Sequence, residues 1–331
     1  MPQERQASQE SFGPNAWLVD EMYEQYRADP SSVTESWRDF FADYRKDTES
    51  PPDGAPVTAR PAPAPPAPGS AGAGGADGEV LDTRPLRGAA ARLVANMEAS
   101  LGVPTATSAR VVPARLLEVN RKVLNGYLAR IGGNKVSFTH LIGYAAVRAL
   151  EAVPAMRSVY VPGGDGDAAG VAAVGRPPHV GLGLAIDVAR SDGSRTLLVP
   201  CIPRAETLDF ATFHAAYEDV VRRVRSNKIT PDDFAGVTMT LTNPGTLGTV
   251  SSVPRLMPGQ SVIVGVGALG WPAEYAGADP QVMAQLGMSK VMTLTSTYDH
   301  RVIQGAESGL YLQRIEQLLL GTDGFYDEVF R

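Results

Sequence analysis

One short stretch of the chain places an ionisable side chain where it can move a proton. Residues 291–298 are rich in threonine, β-branched and aromatic side chains, which predicts a strand that ends at Asp299, His300 and Arg301 before Gly305. Histidine ordinarily titrates near about pH 6.5, so it can take a proton from a thiol or hydroxyl and return it later. His300 is therefore a candidate general base. The alternative is a surface histidine in a charged turn.

A second candidate lies where Thr242 ends another predicted strand, at 237–242. Asn243, Pro244 and Gly245 follow at once, and these residue types are typical of a turn. A hydroxyl at a strand end, near backbone N–H groups that face outward, can donate a hydrogen bond to a negatively charged oxygen. Threonine also favours strands because of its β-branched shape, so this segment alone does not indicate a function.

A glycine-rich stretch at 265–270 fits the pattern G-x-G-x-x-G and follows a predicted strand. Trp271 and Pro272 come directly after it, where a dinucleotide fold would begin an uninterrupted helix. No strand ending in Asp or Glu lies about 20 residues further on. The stretch therefore predicts close backbone packing. The chain also has neither a phosphate-binding loop motif nor a G-x-S-x-G nucleophile motif.

Composition excludes further classes of function. The 331 residues carry a net charge of -6, which repels nucleic acid and anionic membranes, so neither is expected as a partner. Cys201 is the only cysteine, and the four histidines are scattered, so no metal site is expected. The sequence starts without an apolar signal region and has no run of about 20 apolar residues, which predicts a cytoplasmic protein.

Aromatic residues recur at three- and four-residue steps between positions 12 and 45, around a turn at Asp29 and Pro30. This spacing predicts a helical hairpin, and so many aromatics favour docking on something larger over self-contained packing. Residues 51–78 are almost entirely Pro, Ala and Gly, which predicts a disordered spacer. The predicted regions are a hairpin (1–50), a flexible linker (51–79), a large domain (80–322) and a closing segment that begins a further linker (323–331).

Within the large domain, the hydrophobic period changes from helical to alternating along the chain. The predicted helices cover 86–101, 116–128, 138–150, 210–224 and 310–320. The predicted strands cover 180–188, 196–202, 237–242, 261–264 and 291–298, with a hairpin turn at 192–193. Helices first, then strands interleaved with single helices, indicate an α+β domain built in two layers.

The two candidate motifs together resemble one enzyme family. Asp299 to Gly305 resembles the Asp-His-Arg-x-x-Asp-Gly signature of the acyltransferase component of 2-oxo acid dehydrogenase complexes, except that Gln304 stands where the family has Asp. Thr242 to Gly245 resembles the Ser/Thr-Asn-x-Gly stretch of the same family. Residues 179–187 and 198–200 resemble further strands of the same family. The resemblance covers nearly all of residues 82–320.

The resemblance implies a fold like that of chloramphenicol acetyltransferase, in a homotrimer whose active sites lie between subunits. It implies transfer of an acyl group from S-acyl-dihydrolipoyl to coenzyme A, the second substrate. His300 would deprotonate the attacking thiol, and Thr242 of another subunit would stabilise the oxyanion. The supporting residues carried over with these motifs are Asp299, Arg301, Gln304, Asn243 and Gly245.

Residues 11–41 are similar to the amino-terminal segment of 2-oxoglutarate dehydrogenase. This resemblance implies an assembly element for that complex and a succinyl group as the acyl group transferred. Family members usually carry a lipoyl domain, in which one lysine sits at a hairpin tip between an acidic and a small residue. None of the lysines here, at 46, 122, 135, 228 and 290, has that setting. The lipoyl group is thus expected from another protein, in trans.

The combination resembles the amino-terminal third of fused actinobacterial 2-oxoglutarate dehydrogenases/decarboxylases, in which a thiamine-dependent part follows the transferase. Residues 324–331 resemble the entry to that part, so a fragment or a split polypeptide is expected. The resemblance implies thiamine diphosphate and magnesium only in that C-terminal part, and dihydrolipoyl dehydrogenase as a further partner. One alternative is a catalytically silent trimeric assembly module. The other is a free-standing acetyltransferase for small alcohols or amines. Such acetyltransferases commonly have His at the position of Asp299.

Overall fold

The computed structural model describes residues 16–42, 89–163, 171–189 and 195–331. The predicted linker at 51–79 and the predicted turn at 192–193 lie outside these residues. The helices are α1 (Ala16–Ala28), α2 (Glu35–Ala42), α3 (Ala89–Leu101), α4 (Arg115–Ile131), α5 (Phe138–Ala152), α6 (Phe210–Arg225), α7 (Pro280–Gln285), α8 (Gly305–Leu319) and α9 (Phe325–Val329). The strands are β1 (Thr105–Pro113), β2 (Val159–Val161), β3 (Ala173–Gly175), β4 (Leu182–Leu184), β5 (Ile186–Ala189), β6 (Arg195–Leu198), β7 (Cys201–Ile202), β8 (Met239–Thr242), β9 (Val262–Val266) and β10 (Val291–Asp299).

Six of these strands form the central sheet, in the order β1-β10-β9-β8-β4-β7. β8 runs parallel to its neighbours β4 and β9, and the other pairs are antiparallel. β1 pairs with β10 along its whole length, from Thr105 opposite Asp299 to Pro113 opposite Val291. The sequence pattern does not predict β1, which is a strand here because β10 offers a partner at every position.

The two faces of the sheet differ in chemistry, because side chains alternate along each strand. Leu294 of β10 points into the main apolar core, where α5 and α8 pack against the sheet. Ser296 points the same way, and its hydroxyl lies 3.0 Å from the hydroxyl of Ser308 on α8. The opposite face, here called the hydroxyl face, carries Thr297, whose hydroxyl lies 2.7 Å from that of Thr107 on β1.

Most predicted elements of the large domain are present, and the α+β prediction is confirmed. The helices predicted at 116–128, 138–150, 210–224 and 310–320 are α4, α5, α6 and α8. The single strands predicted at 180–188 and 196–202 are wrong, because each is two strands in two sheets. The second of them divides into β6 and β7. β4 stays in the central sheet, whereas β5 leaves it to pair antiparallel with β6. Alternating hydrophobicity continues across Ala185, which separates the two strands, so the pattern does not reveal the change of sheet.

The predicted close backbone packing near residue 265 is confirmed. A Cβ added to Gly267 would overlap the carbonyl oxygen of Val250, and a Cβ added to Gly265 would overlap the hydroxyl of Thr295. The segment that begins at Thr249 therefore lies directly on the hydroxyl face. The Thr249 carbonyl accepts a hydrogen bond from the Ala268 N–H at 2.8 Å. Glycine is needed here for space.

α1 and α2 form the predicted helical hairpin, and its aromatic side chains pack on the large domain of the same chain. Trp37 and Phe41 are each only 3% exposed. They share an apolar cluster with Val224 at the end of α6 and with Ile229 and Phe234 just beyond it. The larger body on which this hairpin docks is thus found within the chain itself.

The closing segment is packed, although residues 323–331 were expected to begin a linker. Phe325, Tyr326 and Val329 of α9 are buried in the main core. The hydroxyl of Tyr326 also donates a hydrogen bond to the carbonyl of Leu319 at 2.8 Å. The packed core therefore continues past the predicted boundary at residue 322.

α3 carries an apolar stripe that is largely exposed in a single chain. Leu93, Met97 and Leu101 are 56%, 38% and 67% exposed, although their spacing is that of a buried helix face. Of the helices described, none is both long enough and apolar enough to cross a membrane.

Candidate functional site

The turn that carries His300 is held by hydrogen bonds on both sides. The His300 N–H donates to the Pro104 carbonyl at 2.9 Å. The buried Asp299 carboxylate accepts from the Arg301 N–H at 3.0 Å and from its guanidinium at 2.9 and 2.6 Å. These bonds raise the pKa of Arg301, whose guanidinium also lies 3.7 Å from the ring centroid of Tyr160. Asp299 and Arg301 thus fix the backbone on either side of the histidine.

The imidazole of His300 is exposed and lies against the ring of Tyr298. Its ring lies edge-on to Tyr298, with 5.6 Å between the ring centroids. Tyr298 is only 2% exposed, so this contact is part of the packed core. A histidine placed in this way is accessible to another molecule while its position is set by the sheet.

Gln304 and Glu307 form the beginning of α8. Ile303 is fully buried, and the next residue, Gln304, is the N-cap of the helix. The Gln304 N–H donates to the Glu307 carboxylate at 2.6 Å. A negative charge is favourable at this end of a helix. Glu307 therefore stabilises the helix start, and the side chain of Gln304 is exposed.

Thr242 is the last residue of β8 and is half-buried. The side-chain amide of Asn243 donates a hydrogen bond to the hydroxyl of Thr139 on α5 at 2.7 Å. A Cβ added to Gly245 would overlap the backbone at 267–268, so only glycine fits this turn. The loop after Thr242 is thus held by α5 on one side and by the segment after β9 on the other.

Within one chain, His300 and Thr242 lie at different ends of the sheet. Thr242 pairs with Gly265, and Gly265 pairs with Thr295, so these three residues form one row across β8, β9 and β10. His300 lies five residues beyond Thr295. At about 3.3 Å per residue and about 4.8 Å between strands, Thr242 and His300 are about 19 Å apart. One protomer therefore keeps the two candidate groups apart.

The structure also brings together three side chains that sequence analysis does not connect. The ring nitrogens of His140 and His214 and a carboxylate oxygen of Glu218 lie within 4.8 Å of one another. His214 and Glu218 are four residues apart on α6, and this spacing is the one local signal in the sequence. His140 comes from the first turn of α5, so only the packing of the two helices completes the cluster.

The hydrogen bonds of His140 do not suit a metal ion. Its Nδ1 accepts the Ser137 N–H at 3.2 Å, so the proton of the neutral ring lies on Nε2, 3.0 Å from the Glu218 carboxylate. A metal on Nε2 would force the proton onto Nδ1, against that N–H. Burial, with a smaller contribution from His214, lowers the pKa of His140 to about 3. The cluster is thus best explained as a polar contact between α5 and α6 in which His140 is neutral.

Comparison with known proteins gives two matching families and a set of relatives. Residues 79–324 match 2-oxoacid dehydrogenases acyltransferase (catalytic domain), and residues 11–48 match 2-oxoglutarate dehydrogenase N-terminus. The multifunctional 2-oxoglutarate metabolism enzyme of Mycolicibacterium vanbaalenii is 49% identical, over 97% of this chain and 29% of its own length. The enzyme of the same name from Mycobacterium sp. strain JLS is 45% identical, over 98% and 30%. The chain thus spans less than a third of these relatives.

Solved structures share the fold. A probable dihydrolipoamide acetyltransferase from Listeria monocytogenes superposes with a TM-score of 0.59 at 19% identity, covering 75% of this chain and 94% of the other. Dihydrolipoamide acetyltransferase from Azotobacter vinelandii gives 0.58 at 23% identity, covering 72% and 91%. These likenesses confirm the α+β fold of an acyltransferase catalytic core. The family resemblance expected from the two motifs is confirmed as well.

Proposed function

We propose a function from one premise: the chain belongs to the 2-oxoacid dehydrogenases acyltransferase (catalytic domain) family. It moves a succinyl group from S-succinyl-dihydrolipoyl to coenzyme A, within a 2-oxoglutarate dehydrogenase complex. The site is formed between copies of the chain in a trimer, with His300 from one copy and Thr242 from its neighbour. Asp299, Arg301, Asn243 and Gly245 hold these two residues in place.

In this mechanism the proton moves through His300. The imidazole takes the proton from the coenzyme A thiol, which is mostly un-ionised at neutral pH. The thiolate adds to the thioester carbonyl, and the Thr242 hydroxyl donates a hydrogen bond to the oxyanion that forms. When the intermediate collapses, the C–S bond to dihydrolipoyl breaks and the imidazolium returns the proton to the leaving thiolate. The products are succinyl coenzyme A and dihydrolipoyl.

The observation that carries the proposal is the separation of Thr242 and His300 across the sheet. Each protomer offers a donor at one end and a base at the other, so a second copy is needed to complete a site. The Azotobacter vinelandii enzyme was studied for the roles of a serine, a histidine and an asparagine in its catalytic mechanism. That histidine and asparagine are numbered four apart, as are His300 and Gln304. An amide at position 304 is therefore compatible with catalysis, although the family signature has Asp there.

Two observations support succinyl as the acyl group. The amino-terminal match is to 2-oxoglutarate dehydrogenase, whose reaction yields a succinyl group, and the relatives are named for 2-oxoglutarate metabolism. The lipoyl group comes from a separate lipoyl-domain protein. The partners are the thiamine-dependent 2-oxoglutarate dehydrogenase part, which uses thiamine diphosphate and magnesium, and dihydrolipoyl dehydrogenase, all in the cytoplasm.

An assembly role without chemistry is the second candidate. The observation that favours it is Gln304, which lacks the negative charge of the family's Asp. In this case the trimer would gather thiamine-dependent parts and transfer nothing. The docked hairpin of α1 and α2 suits this role and the catalytic one equally, because it joins a 2-oxoglutarate dehydrogenase segment to the transferase core.

One assay separates the two candidates. Purified chain is mixed with succinylated lipoyl domain and coenzyme A, and the formation of succinyl coenzyme A is followed. We expect turnover, and we expect His300→Ala to lower its rate at least about a hundredfold, because the general base is lost. His179→Ala, which removes another exposed histidine, is the matched control and should leave the rate unchanged. Turnover by His300→Ala at the wild-type rate would exclude the mechanism, and no turnover by any form would favour the assembly role.

A further inference from the structure

The backbone that follows Thr242 leaves the sheet at once and needs an anchor of its own. Asn243 has φ -125° and ψ 76°, which belongs neither to a strand nor to a helix, and residues 244–247 form a short 3-10 turn. Pro244 has no N–H and so cannot continue the hydrogen bonds of the sheet. The place of the Thr242 hydroxyl therefore depends on what holds Asn243.

Asn243 is held by a residue that comes 104 positions earlier in the chain. Its side-chain nitrogen donates to the hydroxyl oxygen of Thr139 at 2.7 Å. Both residues are half-buried, so water competes less for this bond than it would at an open surface. The contact joins the first turn of α5 to the first residue after β8.

Thr139 is itself fixed because the start of α5 is fixed. The next residue, His140, is 3.0 Å from Glu218 of α6 and only 2% exposed. One turn further on, Gly143 lies flat against β8: a Cβ there would come within 2.9 Å of the side chain of Leu241. Leu241 directly precedes the proposed oxyanion donor. The start of α5 and the end of β8 are thus packed directly against each other.

We propose that Thr139 is a positioning residue for acyl transfer. Its hydroxyl fixes the side chain of Asn243, and Asn243 in turn sets where the Thr242 hydroxyl meets the oxyanion. The proposal rests on the proposed function of Thr242. Thr139 acts through Thr242 alone, so its loss lowers the rate of the chemical step and leaves the binding of both thiol substrates as it was.

The kinetic test compares two substitutions in the full chain. Thr139→Val keeps the shape and removes the hydroxyl, whereas Thr139→Ser keeps the hydroxyl. We expect Thr139→Val to lower kcat about tenfold, which is the effect of one lost hydrogen bond, with KM for both substrates within about twofold of wild type. Thr139→Ser should stay within about twofold in kcat. Equal kcat for Thr139→Val and wild type, or equal losses in the two variants, would overturn the proposal.

A double-substitution cycle distinguishes positioning from general weakening of the fold. If Thr139 acts through Thr242, adding Thr139→Val to Thr242→Ala causes no further loss. A further tenfold loss in that background would show an independent effect and would overturn the proposal.

A crystal structure of Thr139→Val gives a readout that needs no activity. We expect the Asn243 side chain to leave its position, and an unmoved Asn243 would refute the proposal even if the rate fell. The proposed function fails in a different way, because wild-type turnover by Thr242→Ala would remove the oxyanion role while the Asn243 position still reports on Thr139.

Discussion

If the base and the oxyanion donor come from different copies of the chain, two variants that are inactive alone must regain activity when they assemble together. Thr242→Ala keeps His300, and His300→Ala keeps Thr242. Within one protomer the two residues are about 19 Å apart, which is the diagonal of five strand residues and two strand spacings. No side chain spans that distance, so neither variant can complete a site alone or with further copies of itself.

The expected recovery follows from counting. In a closed cyclic assembly, each site takes its threonine from one copy and its histidine from the next. When the two variants assemble at random in equal amounts, a site is intact if the first copy is His300→Ala and the second is Thr242→Ala. This happens in about one quarter of the sites, for a trimer as for any closed ring. Tandem purification removes the trimers that contain a single variant, which have no intact site. Every mixed trimer has one intact site in three, so mixed trimers should reach about one third of the wild-type rate per chain.

The assay is co-expression of the two variants under separate tags, tandem purification and measurement of succinyl coenzyme A formation. As the control for the purification, each variant is also co-expressed with itself under the two tags. Activity near zero in the mixed assemblies, with intact oligomers, would refute a site shared between copies. Near-wild-type activity in either variant alone would refute the role of the residue it lacks.

Two further predictions concern buried titratable groups. The pKa of His140 is lowered to about 3 in the fold, so its contribution to stability is complete above about pH 6.5 and is lost as the pH falls toward 3. Between pH 6.5 and 5, titration of His140 should cost the wild-type protein up to about 2 kcal/mol of unfolding free energy. Denaturant titrations of His140→Gln should lack this part of the loss. Equal losses in the two proteins would contradict the prediction. Burial raises the pKa of the only thiol, Cys201, to about 12, so iodoacetamide at pH 8 should label native protein about a thousandfold more slowly than urea-unfolded protein. Equal labelling rates would contradict the burial.

The sequence predicts the two strand ends that carry the candidate residues, because each is a local pattern. A threonine-rich strand followed by Asp299 and His300, and a strand followed by Asn243 and Pro244, are readable from neighbouring residues alone. The order of β8, β9 and β10 is not local, and the residues alone do not say that the two ends lie apart. The family resemblance supplies that expectation. The contact between Asn243 and Thr139 is also beyond the sequence pattern, since it depends on how α5 packs against β8.

β1, which the sequence does not predict, holds the candidate base. A strand that slips by one residue turns every side chain to the other face, so the register of β10 decides where Asp299 and His300 point. β9 pairs with β10 only from Leu294 to Tyr298, short of the turn. β1 pairs with it as far as Asp299 and continues the contact through the Pro104 carbonyl to the His300 N–H. The position of the base is therefore set by a segment about 190 residues earlier, whose own composition does not require a strand.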